Sequence, residues 1–209
     1  MIDAWTALRR LREGNRRFVA GLRDPDAATT PTERAELVGG QEPFAIILGC
    51  SDSRVPAEIV FDQGLGDLFV IRVAGNIVAP SLIGSVEFAT TKFGTRLVVV
   101  MGHSGCGAVE VTIAELQHPI GPLSPNVGDI VDRIRPAVEP LLSTAAPDSL
   151  FHEAVRANVR ASAEQLRNGS ALLENLIRSD GLLVIGAEYS LDTGTVEVFD
   201  GGQPAAAWE

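Results

Sequence analysis

The chain has 209 residues, 45% of them hydrophobic, and a formal net charge of -10. That is enough for one domain with a sizeable core and too apolar for disorder. The negative balance argues against a nucleic-acid binder, whose target phosphates it would repel. No apolar run reaches the length of a membrane span, and the segment Met1–Ile2–Asp3–Ala4–Trp5 lacks the basic stretch and apolar core of a signal peptide. The expectation is a cytoplasmic protein.

In chain order, Asp3 is placed to cap a helix through Leu8, Leu11, Phe18 and Val19 that ends at Gly21. Its basic face (Arg9, Arg10, Arg12, Arg16, Arg17) reads as a solvated face or as an arm lying on a partner subunit. Residues 24–32 read as a loop, and a short helix over 32–38 closes at Gly39–Gly40. The apolar run 44–48 predicts a buried strand. Pro56 stands just inside a short helix over 57–62, and 67–73 predicts a second strand. A helix starts at Pro80 or Ser81 and stops at Gly94; strand three is 97–101, and a helix follows over 108–117. Residues 118–126 read as a proline-rich loop. Helical patterns cover 127–142, 149–166 and 172–177, and strands 182–185 and 195–199 complete the chain.

The strands alternate with helices and are apolar throughout, so both faces of the sheet are covered. The predicted fold is α/β: an open, mostly parallel sheet of four strands plus a short fifth, with helices on both faces and an N-terminal helical arm. One domain spans 1–209, with 1–40 as the arm and 43–199 as the α/β core. Such sheets bind ligands beyond the strand C-termini, at a switch in strand order.

Two strand ends share a pattern. The first runs into Gly49–Cys50–Ser51–Asp52–Ser53–Arg54, the second into Gly102–His103–Ser104–Gly105–Cys106–Gly107. Cys50 and Asp52 are two apart and point the same way in an extended segment. His103 and Cys106 are three apart and can face one ion at a turn entering a helix. The glycines let the backbone approach closely. Two thiolates, an imidazole and a carboxylate form a tetrahedral set that suits zinc and not magnesium or calcium. The alternative is one disulfide between the chain's only two cysteines, but that explains neither Asp52 nor His103. With four protein ligands the zinc would be closed and structural. With Asp52 paired to Arg54 in a bidentate fork, one position is open for water and the site is catalytic.

C-S-D-S-R-V-P followed by H-S-G-C-G resembles the β-class carbonic anhydrases. The likeness continues through Gly40–Gln41, the segment ending at Arg72, Ala74–Gly75–Asn76, the stretch 84–89 and Gly186–Ala187–Glu188–Tyr189. The resemblance implies reversible, zinc-dependent hydration of CO2 to bicarbonate and a proton by zinc-bound hydroxide, with one Zn2+ per chain. It implies Cys50, His103 and Cys106 as permanent ligands. Asp52 would be the fourth ligand in a closed form only, or a catalytic residue held by Arg54. Gln41, Phe69, Phe88 and Gly107 would bind substrate, although Phe88 stands where Tyr is common and Gly75 departs from the Ala-Asn pattern. The resemblance also implies a homodimer or homotetramer with the site at the dimer interface. Hydrolysis of carbonyl sulfide or carbon disulfide, or a non-catalytic zinc-stabilised binding role, are the competing readings. His118 and His152 are proton-transfer candidates by residue type. Some family members are inhibited by bicarbonate held by a Trp, an Arg and a Tyr. The matching positions are Ile47, Arg72 and Tyr189, so one donor is missing and that inhibition is not expected.

Overall fold

In the computed structural model, residues 2–22, 30–118, 121 and 123–201 are described. The five strands form one sheet in the order β2-β1-β3-β4-β5: β1 Ala45–Gly49, β2 Leu68–Arg72, β3 Leu97–His103, β4 Leu183–Tyr189 and β5 Val196–Asp200. The first four run parallel, and β5 pairs antiparallel with β4. The chain goes from β1 outward to β2, then returns to place β3 on the other side of β1. The strand order therefore reverses between β1 and β3, and a crevice opens beyond their C-terminal ends.

Both faces of the sheet are covered, which is why β1 and β3 are buried along their whole length. On one face lie α1 (Ala4–Val19) and α3 (Ala57–Val60), whose Leu8, Leu11, Val60 and Phe61 pack on Ile47, Val99 and Met101. On the other lie α4 (Pro80–Lys92), α7 (Leu150–Asn168) and α8 (Ala171–Ser179), which bury Ile46, Leu48, Val98 and Val100. Helices α5 (Gly107–Gln117) and α6 (Pro125–Val138) close a third cluster that includes Cys50 and Cys106. The short α2 (Pro31–Glu36) precedes β1.

The expected elements are present, with instructive shifts. Asp3 caps α1 by accepting from the Trp5 and Thr6 amides at 3.0 Å each. The helix's basic face is partly committed within the chain: Arg10 pairs with Asp67 at 2.7 Å, and Arg17 pairs with Asp62 at 2.7 Å. Pro56 is the residue before α3, not inside it, and that helix ends at Val60 instead of 62. Strand β3 runs two residues further than 97–101, so His103 is a strand residue and not part of a loop. Strand β4 likewise extends to Tyr189, because β3 and β4 remain in register from Leu97–Leu183 to His103–Tyr189. The loops expected at 24–32 and 118–126 fall partly outside the described residues. Among the described residues, no helix is long and apolar enough to cross a membrane.

Candidate metal centre

Gly49, the last residue of β1, pairs with Met101, so β3 projects past the end of β1 and carries His103 beside Cys50. The turn after β3 uses Gly105 at φ +67 to bring Cys106 back to the start of α5. Only glycine takes that conformation without cost. The result is a cluster of Cys50 Sγ, a His103 ring nitrogen and Cys106 Sγ, all within 4.8 Å of one another and all buried. The cysteines are free thiols, which sets the disulfide alternative aside.

Two observations show that these residues fit a metal ion. First, His103 is fully buried and its Nδ1 sits 2.9 Å from the Ser104 carbonyl, which makes Nδ1 the N–H donor. That leaves Nε2 as a buried atom with no hydrogen-bond partner, aimed into the cluster. Such an atom is costly unless something is bound to it. Second, the two sulfurs face each other within 4.8 Å, and the contact with Cys106 lowers the pKa of the Cys50 thiol while the contact with Cys50 and burial push Cys106 upward. A divalent cation that takes thiolate and imidazole ligands would satisfy both sulfurs and the imidazole. Burial pushes His103 down, but the adjacent Cys50, the Ser104 carbonyl and Asp52 outweigh it, and the net shift is upward.

Asp52 lies at the rim. Arg54 grips it in a fork, Nε to Oδ1 at 2.9 Å and Nη2 to Oδ2 at 2.7 Å, and the Arg54 amide donates to Oδ1 at 2.9 Å. The fork holds the Asp52 carboxyl well below the usual carboxylate range. Arg54 Nη2 also donates to the Gly105 carbonyl at 3.1 Å, tying the two ligand loops together. Asp52 Oδ2 lies 3.9 Å from His103 Nε2. Arg72, at the end of β2, donates to the carbonyls of Cys50 (3.0 Å) and Asp52 (2.6 Å), so its guanidinium braces this loop. Ile47 is fully buried, and both it and Tyr189 belong to the apolar cluster under α1.

The expected substrate residues divide. Gly107 opens α5 directly beside the cluster, and its Cα faces open space. Gln41, Phe69 and Phe88 do not join it. Gln41 precedes β1, at the opposite end of a strand about 16 Å long. It lines a cleft of about 590 Å3 with Phe44, Lys92 and Phe93. Phe69 pairs with Ile46, about 10 Å along the strand from Gly49, and stacks with Phe88 and Phe93 at centroid distances of 6.2 and 6.0 Å. Phe88 is 53% exposed. His118 is exposed, and His152 Nδ1 lies 3.4 Å from Glu188, which is paired with Arg156 on the α7 side of the sheet.

The sequence reading left Gly75 without a role. Its amide donates to Cys50 Sγ at 3.4 Å from a turn at φ +71. A glycine between Ala74 and Asn76 at a strand end was the only available signal.

A family model described as carbonic anhydrase matches residues 45–196. Carbonic anhydrase 2 of Mycobacterium tuberculosis is 40% identical over 199 residues, covering 95% of this chain and 93% of that protein. The carbonic anhydrase of Mycolicibacterium smegmatis is 40% identical over 198 residues, covering 94% and 92%. Among solved structures, a tetrameric β-carbonic anhydrase of Sordaria macrospora aligns with a TM-score of 0.72 at 25% identity, covering 81% of this chain and 87% of its own. The β-carbonic anhydrase CafA of Aspergillus fumigatus aligns with a TM-score of 0.74 at 25% identity, covering 85% of each. The match runs across both ligand loops and the whole sheet that positions them, and the chain belongs to the β-class carbonic anhydrases, enzymes of reversible CO2 hydration.

Proposed function

We propose that the chain hydrates CO2 with one zinc ion held by Cys50 Sγ, His103 Nε2 and Cys106 Sγ, with Asp52 and Arg54 as the catalytic pair. The observation that carries this reading is the unpartnered, buried Nε2 of His103 converging with two free thiols. When bound, zinc supplies a Lewis acid that makes a water molecule acidic near neutral pH. The residues supply the rest. The Asp52 carboxylate, held at the rim, would accept a hydrogen bond from such a water and so orient its oxygen toward CO2. Arg54 keeps the carboxylate ionised and directed, and its fork supports the form in which Asp52 stays off the metal. The brace from Arg72 holds the Cys50–Asp52 backbone while the site works. Gly107 leaves room for the substrate.

Gln41, Phe69 and Phe88 support a homo-oligomer. Gln41 and Phe88 are exposed and Phe69 is partly buried, and all three lie toward the far end of the sheet, away from the cluster of their own chain. As substrate residues they serve the site of a second copy, so the pocket lies at the dimer interface. The tetrameric relative supports the same reading. We read residues 1–209 as one cytoplasmic domain, with 1–40 as a helical segment bound to the 43–199 core.

The test is metal analysis together with stopped-flow CO2 hydration. The purified protein should carry about one zinc per chain, and Cys50→Ser, His103→Ala and Cys106→Ser should each lose both the metal and the activity. Full zinc occupancy in Cys106→Ser would refute the ligand set. Parallel assays with carbonyl sulfide should give far lower turnover than CO2.

A further inference from the structure

Helix α7 carries a buried amide, Asn158, onto the turn that follows β2. Its Nδ2 donates to the Gly75 carbonyl at 2.7 Å, a contact between residues 83 positions apart. The Gly75 N–H in turn lies 3.4 Å from Cys50 Sγ. The turn is packed as well as bonded: a Cβ on Gly75 would stand 2.8 Å from Ile134 Cδ1 and 3.0 Å from Ala108 Cβ. Asn76 follows in the left-handed region at φ +44, a conformation that a non-glycine residue keeps only where its surroundings fix it. The same helix presses on the other half of the centre. A Cβ on Gly102, next to His103, would meet Val159 Cγ2 at 2.5 Å.

The two cysteines meet the backbone differently. Cys106 precedes α5, and the amides of Ala108 and Val109 face its sulfur. Cys50 follows the end of β1, and the next helix starts only at Ala57. Its sulfur meets the Asp52 amide of its own loop and, from another part of the chain, the Gly75 amide.

We propose that Asn158 is a positioning residue of the metal centre, acting through Gly75 on the sulfur of Cys50. The inference rests on the zinc reading above. By anchoring the Gly75 carbonyl, the Asn158 amide fixes the turn so that its N–H stays on Sγ. That bond sets the direction of the sulfur and draws off part of its negative charge, which tunes how strongly the thiolate donates to a metal. An aspartate at 158 would repel the carbonyl, and an apolar residue would leave it unpaired.

Cobalt substitution tests this without relying on activity. Wild type, Asn158→Ala and Asn158→Asp are loaded with Co2+ and compared by thiolate-to-metal charge-transfer absorption and by chelator competition. In both variants the charge-transfer band should move to longer wavelength and the metal dissociation constant should rise about tenfold or more. A variant that unfolds at lower temperature but keeps the wild-type band and metal affinity assigns Asn158 a purely structural role and overturns the proposal. If neither variant folds, wild type loaded with 113Cd decides. A scalar coupling from the Gly75 amide proton to cadmium through Sγ, with slow exchange of the Asn158 side-chain amide, supports the relay. Absence of the coupling while Cys50 ligates the metal overturns it. Wild type that takes up neither metal removes the zinc reading and this inference together, an outcome distinct from a metal-loaded variant with an unshifted band.

Discussion

At the scale of single residues, the centre depends on which partner Asp52 has. Its carboxylate is committed to Arg54 by two side-chain bonds and one amide bond. Asp52→Asn should therefore retain most of the zinc and lose most CO2 hydration, because an amide keeps the size but not the charge that the fork holds. Arg54→Ala should lose activity by freeing Asp52 to approach the metal, so zinc content again stays high. Wild-type turnover in Arg54→Ala, measured by stopped flow alongside metal content, would contradict this role. The pH response follows from the same pair. Asp52 has a depressed pKa, so the stability it contributes is fully present above the ordinary carboxylate value of 3.8 and is lost only as pH falls toward the folded value. This pair should thus cause no change in urea stability between pH 8 and 5. Activity should decline gradually with acid over that range, because the Ile47 side chain has no N–H to donate to an inhibitory bicarbonate and the Arg72 guanidinium already donates to the Cys50 and Asp52 carbonyls. A steep, cooperative loss of CO2 hydration below about pH 8, relieved by removing bicarbonate, would show otherwise.

At the scale of elements, the centre is built by strand ends and held by helices. The extra two residues of β3 put His103 level with the loop after β1, and α7 fixes the backbone beneath. Gly102 lies where β3 and α7 touch, with no room for a methyl group against Val159 and Val155. Gly102→Ala should cost about 1–3 kcal/mol through overpacking, and it should weaken metal binding because His103 is the next residue. Gly128 in α6 is the contrasting case, with nothing within 4 Å of an added Cβ. Gly128→Ala should stabilise the protein by about 0.5–1 kcal/mol, the helix cost of glycine. Denaturant melts of the two variants, with metal retention measured on each, check both expectations.

At the scale of the whole molecule, one chain holds the metal cluster at one end of the sheet and the Gln41, Phe69 and Phe88 region at the other. On the reading proposed above, they act between copies. Light scattering should give at least twice the 22.1 kDa chain mass for the active species. A mixed oligomer of Cys50→Ser and Gln41→Ala chains should recover part of the activity that each parent lacks, because one interface then carries an intact cluster and an intact Gln41. An active monomer, or a hybrid no better than its parents, would count against the shared pocket.

The sequence by itself determined the sheet, the residues of the Cys50–His103–Cys106 cluster and the family. Apolar runs closed by glycine mark β1 and β3, and Cys50, His103 and Cys106 are legible because residue type and strand-end position are local properties. So is the Asp52–Arg54 pair, whose members are two residues apart. Tertiary structure alone decided the rest. That His103 belongs to a strand depends on β3 continuing to pair with β4 after β1 has ended. That Gly75 faces Cys50, braced by Asn158, depends on contacts across 25 and 83 positions, which no local pattern encodes. The commitment of Arg72 to two carbonyls, and the separation of Gln41 from the cluster of its own chain, likewise follow from strand register and direction. Local chemistry names the groups a chain possesses, whereas long-range packing and pairing decide which of them meet.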